Sequence, residues 1–264
     1  MLTSQLGFAP VLAVINVGED PASRSYVAGI RRACERVGIV CRQIELPYTT
    51  TGAELRAEIN DLNADRIVCG VLATLPLPPH PPITTLADTL SPAKDIDGIT
   101  PTNAGRLALG WPTFAPNTPA GGMEILRRYG ITIAGKHAVV IGRSGIVGRP
   151  MAMMLINADA TVTICHRHTT NLAEIVRTAD IVVTAAGRAR LITGGMLKPG
   201  ATVVDFGINF PEWAGSKMVG DVDYASALPI AGAITPVPGG TGPVTNMMLM
   251  RNTLDAARKL LGDA

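Results

Sequence analysis

The stretch Ala138-Val-Val-Ile-Gly-Arg-Ser-Gly-Ile-Val-Gly-Arg-Pro150 constrains this chain more than any other. Residues 138–141 are a short apolar run, long enough for one buried parallel strand. Glycines at 142, 145 and 148 follow at once, and Met151, Met153, Met154 and Leu155 continue as a helical pattern. A strand that turns through glycines into a helix gathers backbone N–H groups and the positive helix end at one point, which suits a phosphate. The spacing is G-x-x-G-x-x-G, not the commoner G-x-G-x-x-G, so a plain βα turn without a ligand is the competing reading. The next strand weighs against it. Ala160-Thr-Val-Thr-Ile-Cys165 delivers His166-Arg167-His168, where an acid suits NAD and arginines suit the extra phosphate of NADP. Arg143 and Arg167 supply two cations with no carboxylate at that strand end. The expectation is NADP.

At 264 residues the chain can form one large domain or two modest ones. Hydrophobic residues make up 47% and charged residues 17%, which excludes a disordered chain. The net charge is +2 and no Lys/Arg block exceeds two residues, so nucleic-acid binding has no electrostatic footprint. No apolar run approaches the roughly 20 residues that cross a bilayer, and no basic leader opens the chain. Cys34, Cys41, Cys69 and Cys165 show no C-x-x-C spacing, and most lie inside apolar patterns. Reduced thiols and a cytoplasmic protein are expected.

In chain order, 10–17 read as a buried strand, and Gly18-Glu-Asp-Pro21 as a turn in which Asp20 caps a helix over about 22–37. Tyr26, Ile30 and Cys34 share one stripe of that helix at i, i+4 and i+8. A strand at 39–46, a helix at 53–63 and a strand at 67–74 follow, which predicts a parallel sheet covered on both faces. Leu75-Pro-Leu-Pro-Pro-His-Pro-Pro82 is a rigid loop, because its five prolines forbid helix and strand alike. Lys94-Asp-Ile-Asp-Gly98 carries two carboxylates at i, i+2 and reads first as an Asx-type turn closed by glycine. With no third acid or histidine nearby, metal binding is not expected. A helix at 119–129 leads into strands near 137–142, 160–165, 180–185 and 202–206, with helices at 146–157 and 171–178. The loop Thr235-Pro-Val-Pro-Gly-Gly-Thr-Gly-Pro243 precedes a final helix of about 244–261.

Together these pieces resemble the methylenetetrahydrofolate dehydrogenase/cyclohydrolase family. Val17-Gly-Glu-Asp-Pro-Ala-Ser23, Leu75-Pro-Leu-Pro78, Lys94–Gly98, Gly142–Pro150 and Thr235–Pro243 run in family order from about residue 9 onward. The resemblance implies a two-domain α/β fold with a cleft between the domains. An αβα folate-side domain would cover 1–118, with 244–264 packing back on it, and a Rossmann-type NADP domain would cover 119–243. Tyr26 would lie against the aminobenzoyl part of a tetrahydrofolate substrate and Asp97 would accept from the pterin's amino edge. Gly239, Gly240 and Pro243 would line the pterin pocket. Gly142, Arg143, Ser144, Arg167 and Ile208 would hold NADP, and the protein would be a homodimer.

Three departures stand beside these matches. The family carries a lysine four residues after the tyrosine and a glutamine two residues before Pro-Leu-Pro, and uses both for the cyclohydrolase step. This chain has Ile30 and Thr74 there. Arg31 points roughly 100° around the helix and its guanidinium does not deprotonate. The family also has a helix before its first strand, where this chain has only about eight residues, from a late start or a missing packing element. The resemblance therefore implies a dehydrogenase with weak or absent cyclohydrolase activity. A non-catalytic folate- or NADP-binding paralogue, or a dehydrogenase for another pterin-like substrate, stays open.

Overall fold

A computed structural model describes residues 4, 6–18, 21–75, 77 and 81–262, with the side chains of 21–25 outside that description. The expected Asp20 cap and half of the proline loop (Pro76, Pro78, Pro79 and His80) lie outside the described residues. The chain divides into two compact units. Unit 1 comprises Met1–Arg106, Pro112–Asn117 and Asn246–Ala264, and unit 2 comprises Leu107–Trp111 and Thr118–Thr245.

Unit 1 is built on three parallel strands in the order β2-β1-β3: β1 (Val11–Val17), β2 (Val40–Leu46) and β3 (Val68–Ala73). Alternation along β1 sorts its side chains between two cores. Leu12 and Val14 pack with Val27, Ile30 and Cys34 of α1 (Pro21–Val37), and with Leu249, Met250 and Ala256 of the final helix. Val11, Ala13, Ile15 and Val17 face the other way, onto Leu55, Ile59 and Leu62 of α2 (Gly52–Ala64). Thr51 and Glu54 form a capping box at the start of α2. Two short helices were not anticipated: α3 (Ile83–Thr89) and α4 (Pro101–Ala108). Each spans about two turns, too short for a clear apolar period.

The Lys94–Gly98 motif explains α4. Asp95 is fully buried, and its carboxylate accepts from the amides of Ile99 (3.1 Å) and Thr100 (2.8 Å) and from Asn103 Nδ2 (2.8 Å). It thereby satisfies donors at the helix entrance. Lys94 works at the opposite polarity. Its ammonium donates to the carbonyls of Leu62 (2.7 Å) and Asp65 (2.6 Å), closing the C-terminal end of α2.

Unit 2 contains five parallel strands in the order β5-β4-β6-β7-β8. These are β4 (His137–Ile141), β5 (Thr161–Cys165), β6 (Ile181–Thr184), β7 (Thr202–Asp205) and a two-residue β8 (Ala233–Ile234). Ala138 and Val140 pack with Leu126 of α5 (Asn117–Arg128) and with Met151, Ala152 and Leu155 of α6 (Gly148–Ile156). Val139 and Ile141 face Val176 of α7 (Leu172–Arg177). A one-turn α8 (Tyr224–Ala227) follows β7. The last helix, α9 (Thr241–Leu260), starts three residues before the expected position, because Pro243 falls in its first turn, where proline is tolerated.

The buried Lys94 contacts generate a test. Lys94→Met keeps the aliphatic stem and strands two carbonyls. It is expected to destabilise unit 1 by about 1–3 kcal/mol, the cost of unsatisfied buried partners. A lowered urea midpoint, with the circular dichroism of the native state unchanged, checks this.

Candidate active site

In unit 1, sheet alternation brings the candidate side chains to one face. Asn16 continues the Leu12, Val14 row of β1 towards the α1 side, and Thr74 follows Leu72 just beyond β3. Both are nearly inaccessible, at 3% exposed each. The Thr74 hydroxyl donates to Asn16 Oδ1 at 2.7 Å, while Asn16 Nδ2 donates to the Gly18 carbonyl (2.9 Å) and to Glu45 Oε2 (2.8 Å). Asn16 had drawn no attention in the sequence, where it passes for one polar residue inside an apolar strand.

On α1, Ile30 is 0% exposed and belongs to the apolar core with Leu72 and Ile96. Tyr26, one turn earlier, keeps 38% of its surface accessible. Its phenol is held above the ordinary tyrosine pKa by burial first and by the charge of Asp97 second, so it stays protonated. The two expected folate residues are therefore electrostatic neighbours. Arg31 is exposed and stands 3.9 Å from Glu35, away from the buried stripe, as the helical angle required.

Asp97 lies two residues beyond the parallel bridge between Val71 and Asp95, which lays this segment beside β3. Its Oδ1 accepts from Asn117 Nδ2 (2.7 Å) and from the Asn117 amide (3.1 Å). Burial raises its pKa to about 6, against those two hydrogen bonds and with a further rise from Asp95. Asn117 is itself held, since Asn252 Nδ2 of α9 donates to its Oδ1 at 3.0 Å and to the Ile96 carbonyl at 2.9 Å. The reading from sequence missed both asparagines. The available signal was Asn252, a polar residue three positions after Leu249 on an otherwise apolar helical stripe.

In unit 2 the loop after β4 has the geometry of a dinucleotide turn. Gly142 adopts φ +122°, and a Cβ there would stand 2.2 Å from the Ala185 carbonyl oxygen. A Cβ on Gly148 would stand 2.2 Å from the Gly142 oxygen, so both glycines are needed for strand and helix to meet. Gly145 faces open space, which leaves its backbone approachable. Ser144 Oγ accepts from the amides of Val147 (3.2 Å) and Gly148 (3.3 Å) at the entrance of α6. Arg143 and Arg167 are both exposed, at the ends of neighbouring strands β4 and β5. Arg167 Nε donates to His168 Nε2 at 3.0 Å. Open backbone, a helix start and two cations without a carboxylate fit a phosphorylated dinucleotide.

Two buried aspartates shape the rest of that edge. Asp221 accepts from the amides of Ala186 (2.6 Å), Gly187 (3.1 Å) and Arg188 (2.9 Å) after β6, and from Asn209 Nδ2 (2.9 Å) after β7. Asp205 accepts from Thr184 Oγ1 (2.8 Å) and from the amides of Gly207 (2.8 Å) and Val222 (2.9 Å), and burial raises its pKa. Ile208, 64% exposed, sits between these anchors. Gly239 (φ +99°) is exposed on the loop into α9 and Pro243 is exposed in the first turn of that helix, and a Cβ on Gly240 would meet the Pro236 oxygen at 2.4 Å. Among the described residues no cluster of three or more metal-ligating side chains occurs, and no helix is long and apolar enough to cross a membrane.

Comparison with known proteins identifies two family domains along the chain. Residues 1–97 match the catalytic domain, and residues 116–261 the NAD(P)-binding domain, of the tetrahydrofolate dehydrogenase/cyclohydrolase family. The chain is 55% identical to the bifunctional protein FolD of Chloroflexus aurantiacus over 99% of its length and 91% of that protein. It superposes on the crystal structure of the bifunctional FolD enzyme of Campylobacter jejuni with a TM-score of 0.95 at 46% identity, covering 98% of this chain and 91% of that one. The Trypanosoma brucei dehydrogenase-cyclohydrolase, solved with NADP cofactor and inhibitor, gives 0.93 at 38% identity over 98% and 90%. A two-domain α/β protein with these matches along nearly its whole length belongs to the tetrahydrofolate dehydrogenase/cyclohydrolase family.

Proposed function

We propose that the chain oxidises 5,10-methylenetetrahydrofolate to 5,10-methenyltetrahydrofolate with NADP, and hydrolyses the product weakly or not at all. The observation that carries the restriction is Ile30, fully buried in the apolar core at the position of the family's lysine. Thr74 adds to it, because its hydroxyl proton is committed to Asn16 Oδ1. Neither side chain can orient and deprotonate a water as a lysine–glutamine pair does. The relatives named above are described as bifunctional, so this chain would differ from them in one half-reaction.

Bound NADP supplies the hydride acceptor. The Gly142–Gly148 turn, through those of its amides that do not already donate within the protein, and Ser144 would hold its pyrophosphate, Arg143 and Arg167 would neutralise its ribose phosphate, and Ile208 would lie against it. Tyr26 lies against the aminobenzoyl ring, Asp97 accepts from the pterin's amino edge, and Gly239, Gly240 and Pro243 line the pterin as backbone. The folate nitrogen lone pair expels the hydride, so alignment suffices and no protein base is needed. The domains of this reading are 1–118 with 244–264, and 119–243. The protein is proposed to be a cytoplasmic homodimer; light scattering at micromolar concentration is expected to give about twice the 27.6 kDa chain mass, and a single-chain mass would refute that.

The decisive experiment follows NADPH and methenyl formation from methylenetetrahydrofolate, then decay of methenyltetrahydrofolate above the buffer rate, on one preparation. Turnover in the first and none in the second is expected. Tight NADP or folate binding with no turnover would support a non-catalytic paralogue, and hydrolysis at the rate of a bifunctional relative would overturn the role given to Ile30. The double change Ile30→Lys with Thr74→Gln is expected to gain hydrolysis.

Asp97 supplies a pH test. A carboxyl whose folded pKa is raised to about 6 costs stability as pH rises through the window between its unfolded value and 6. Asp97→Asn keeps an acceptor for Asn117 and removes the buried charge. It should raise the urea midpoint at pH 7.5, with the gain shrinking as pH falls below 6. The same change should raise KM for the folate about tenfold or more, from the loss of a charged hydrogen bond worth about 1.5–3 kcal/mol.

A further inference from the structure

Cys34 and Cys41 take no part in the proposed chemistry, yet the backbone of unit 1 sets them face to face. α1 ends at Val37, Gly38 turns the chain at φ +73°, and the Ile39 amide donates to the Cys34 carbonyl at 3.0 Å. From Ile39 the chain runs extended, so Ile39 and Cys41 share one side and Val40 takes the other. That side is the α1 side. Ile39 is buried in the same core as Cys34, and Cys41 packs against that core, level with Leu12 on β1. The two thiols interact directly with each other.

They are not equivalent. Cys34 is 0% exposed, whereas Cys41 is partly accessible. The hydrogen bond from the Cys34 thiol lowers the Cys41 pKa, burial opposes that, the Arg31 guanidinium assists and Glu35 opposes. Cys34 moves the other way, raised by the same hydrogen bond and by burial. Cys69 and Cys165 are buried, at 1% and 0% exposed, and burial raises both. One accessible thiol inclined to ionise, in contact with one buried thiol, is the arrangement of an attacking and a resolving cysteine.

We propose that Cys41 is a reactive modification site and Cys34 its resolving partner, the pair closing to an intramolecular disulfide when Cys41 meets a low-molecular-weight disulfide. The Cys41 thiolate attacks one sulfur of that disulfide, forming a mixed disulfide and releasing the first small thiolate, which takes up the Cys34 proton. The Cys34 sulfur then attacks the Cys41 sulfur and expels the second small thiolate. Two protein thiols are oxidised to one disulfide, and the small disulfide is reduced to two thiols. The bridge fastens the last turn of α1, the helix that carries Tyr26, to the start of β2.

The test uses the reduced full chain and 5,5′-dithiobis(2-nitrobenzoate), with thionitrobenzoate release followed by absorbance and the product mapped by mass spectrometry. The wild type is expected to release two equivalents per chain in its fast phase and to end two hydrogens lighter, without an adduct. Trypsin cleaves at Arg36, between the two cysteines, so the bridge shows as a linked pair of peptides. Cys34→Ala should stop at one equivalent and keep the aromatic adduct on Cys41, and Cys41→Ala should lose the fast phase. A wild type that keeps the adduct on Cys41, or a fast phase mapping to Cys69 or Cys165, overturns the proposal. If Cys34→Ala does not fold by circular dichroism, the wild-type peptide map decides alone.

Discussion

The carboxylate of Asp97 has to be kept, half-buried, beside the sheet of unit 1, and much of that unit is arranged to keep it. A buried charge needs donors, and Asn117 provides two of them to one oxygen. Asn117 can do so because its own carbonyl oxygen is occupied by Asn252, which also binds the Ile96 and Ala115 carbonyls. The chain from α9 through the start of α5 to the Lys94–Gly98 motif is thus polar, satisfied and enclosed. No buried side-chain nitrogen or oxygen among the described residues lacks a partner. That completeness matters because a half-satisfied network costs more than an apolar core would. It also leaves Asp97 with a second oxygen to which no hydrogen bond is assigned, the feature a recognition site requires.

Unit 2 solves a related problem with the same chemistry. Loops at the C-terminal edge of a parallel sheet carry amides with no ladder partner, and the ligand supplies partners to only some of them. Asp205 and Asp221 collect several of the others. Asp221 binds three successive amides after β6 and the Asn209 side chain after β7, so one carboxylate sets the shape of two adjacent loops. Around Gly145, where a Cβ would meet nothing within 4 Å, the backbone of that edge stays open.

Most of the architecture was legible because period and punctuation agreed with it. β1, β2 and β3 and their helices fall within a residue or two of the positions read from short apolar runs, helical stripes and glycine stops. The Gly142–Gly148 turn was legible for a physical reason as well, since two of its glycines are places where any Cβ collides. The carboxylate pair at 95 and 97 was only half legible. The spacing suggested a turn, and Asp95 does cap the entrance to α4, but nothing local says that Asp97 is held by Asn117. Partners far along the chain, such as Asn252 for Asn117, are assembled by tertiary packing and leave no periodic trace. The cysteine contact escaped for a similar reason. It depends on Gly38 reversing the chain so that a helix face and a strand face meet.

The proton inventory of the α1 face is the last step of the argument. Tyr26 holds its proton because burial and the Asp97 charge both disfavour the phenolate. Thr74 has given its only proton to Asn16, so towards a ligand it can only accept. Ile30 has no proton to move. A hydrolytic step needs a group that takes a proton from water and one that returns it, and among Tyr26, Ile30 and Thr74 no side chain is poised near neutrality to do either, while Asp97, raised to about 6, is given to the pterin's amino edge on the proposed reading. Oxidation of a methylene bridge asks for neither, because the electrons leave as hydride under the push of a nitrogen lone pair. On the proposed reading, replacing a lysine by an isoleucine that packs with Leu72 and Ile96 therefore removes one half-reaction and leaves the other its full set of contacts.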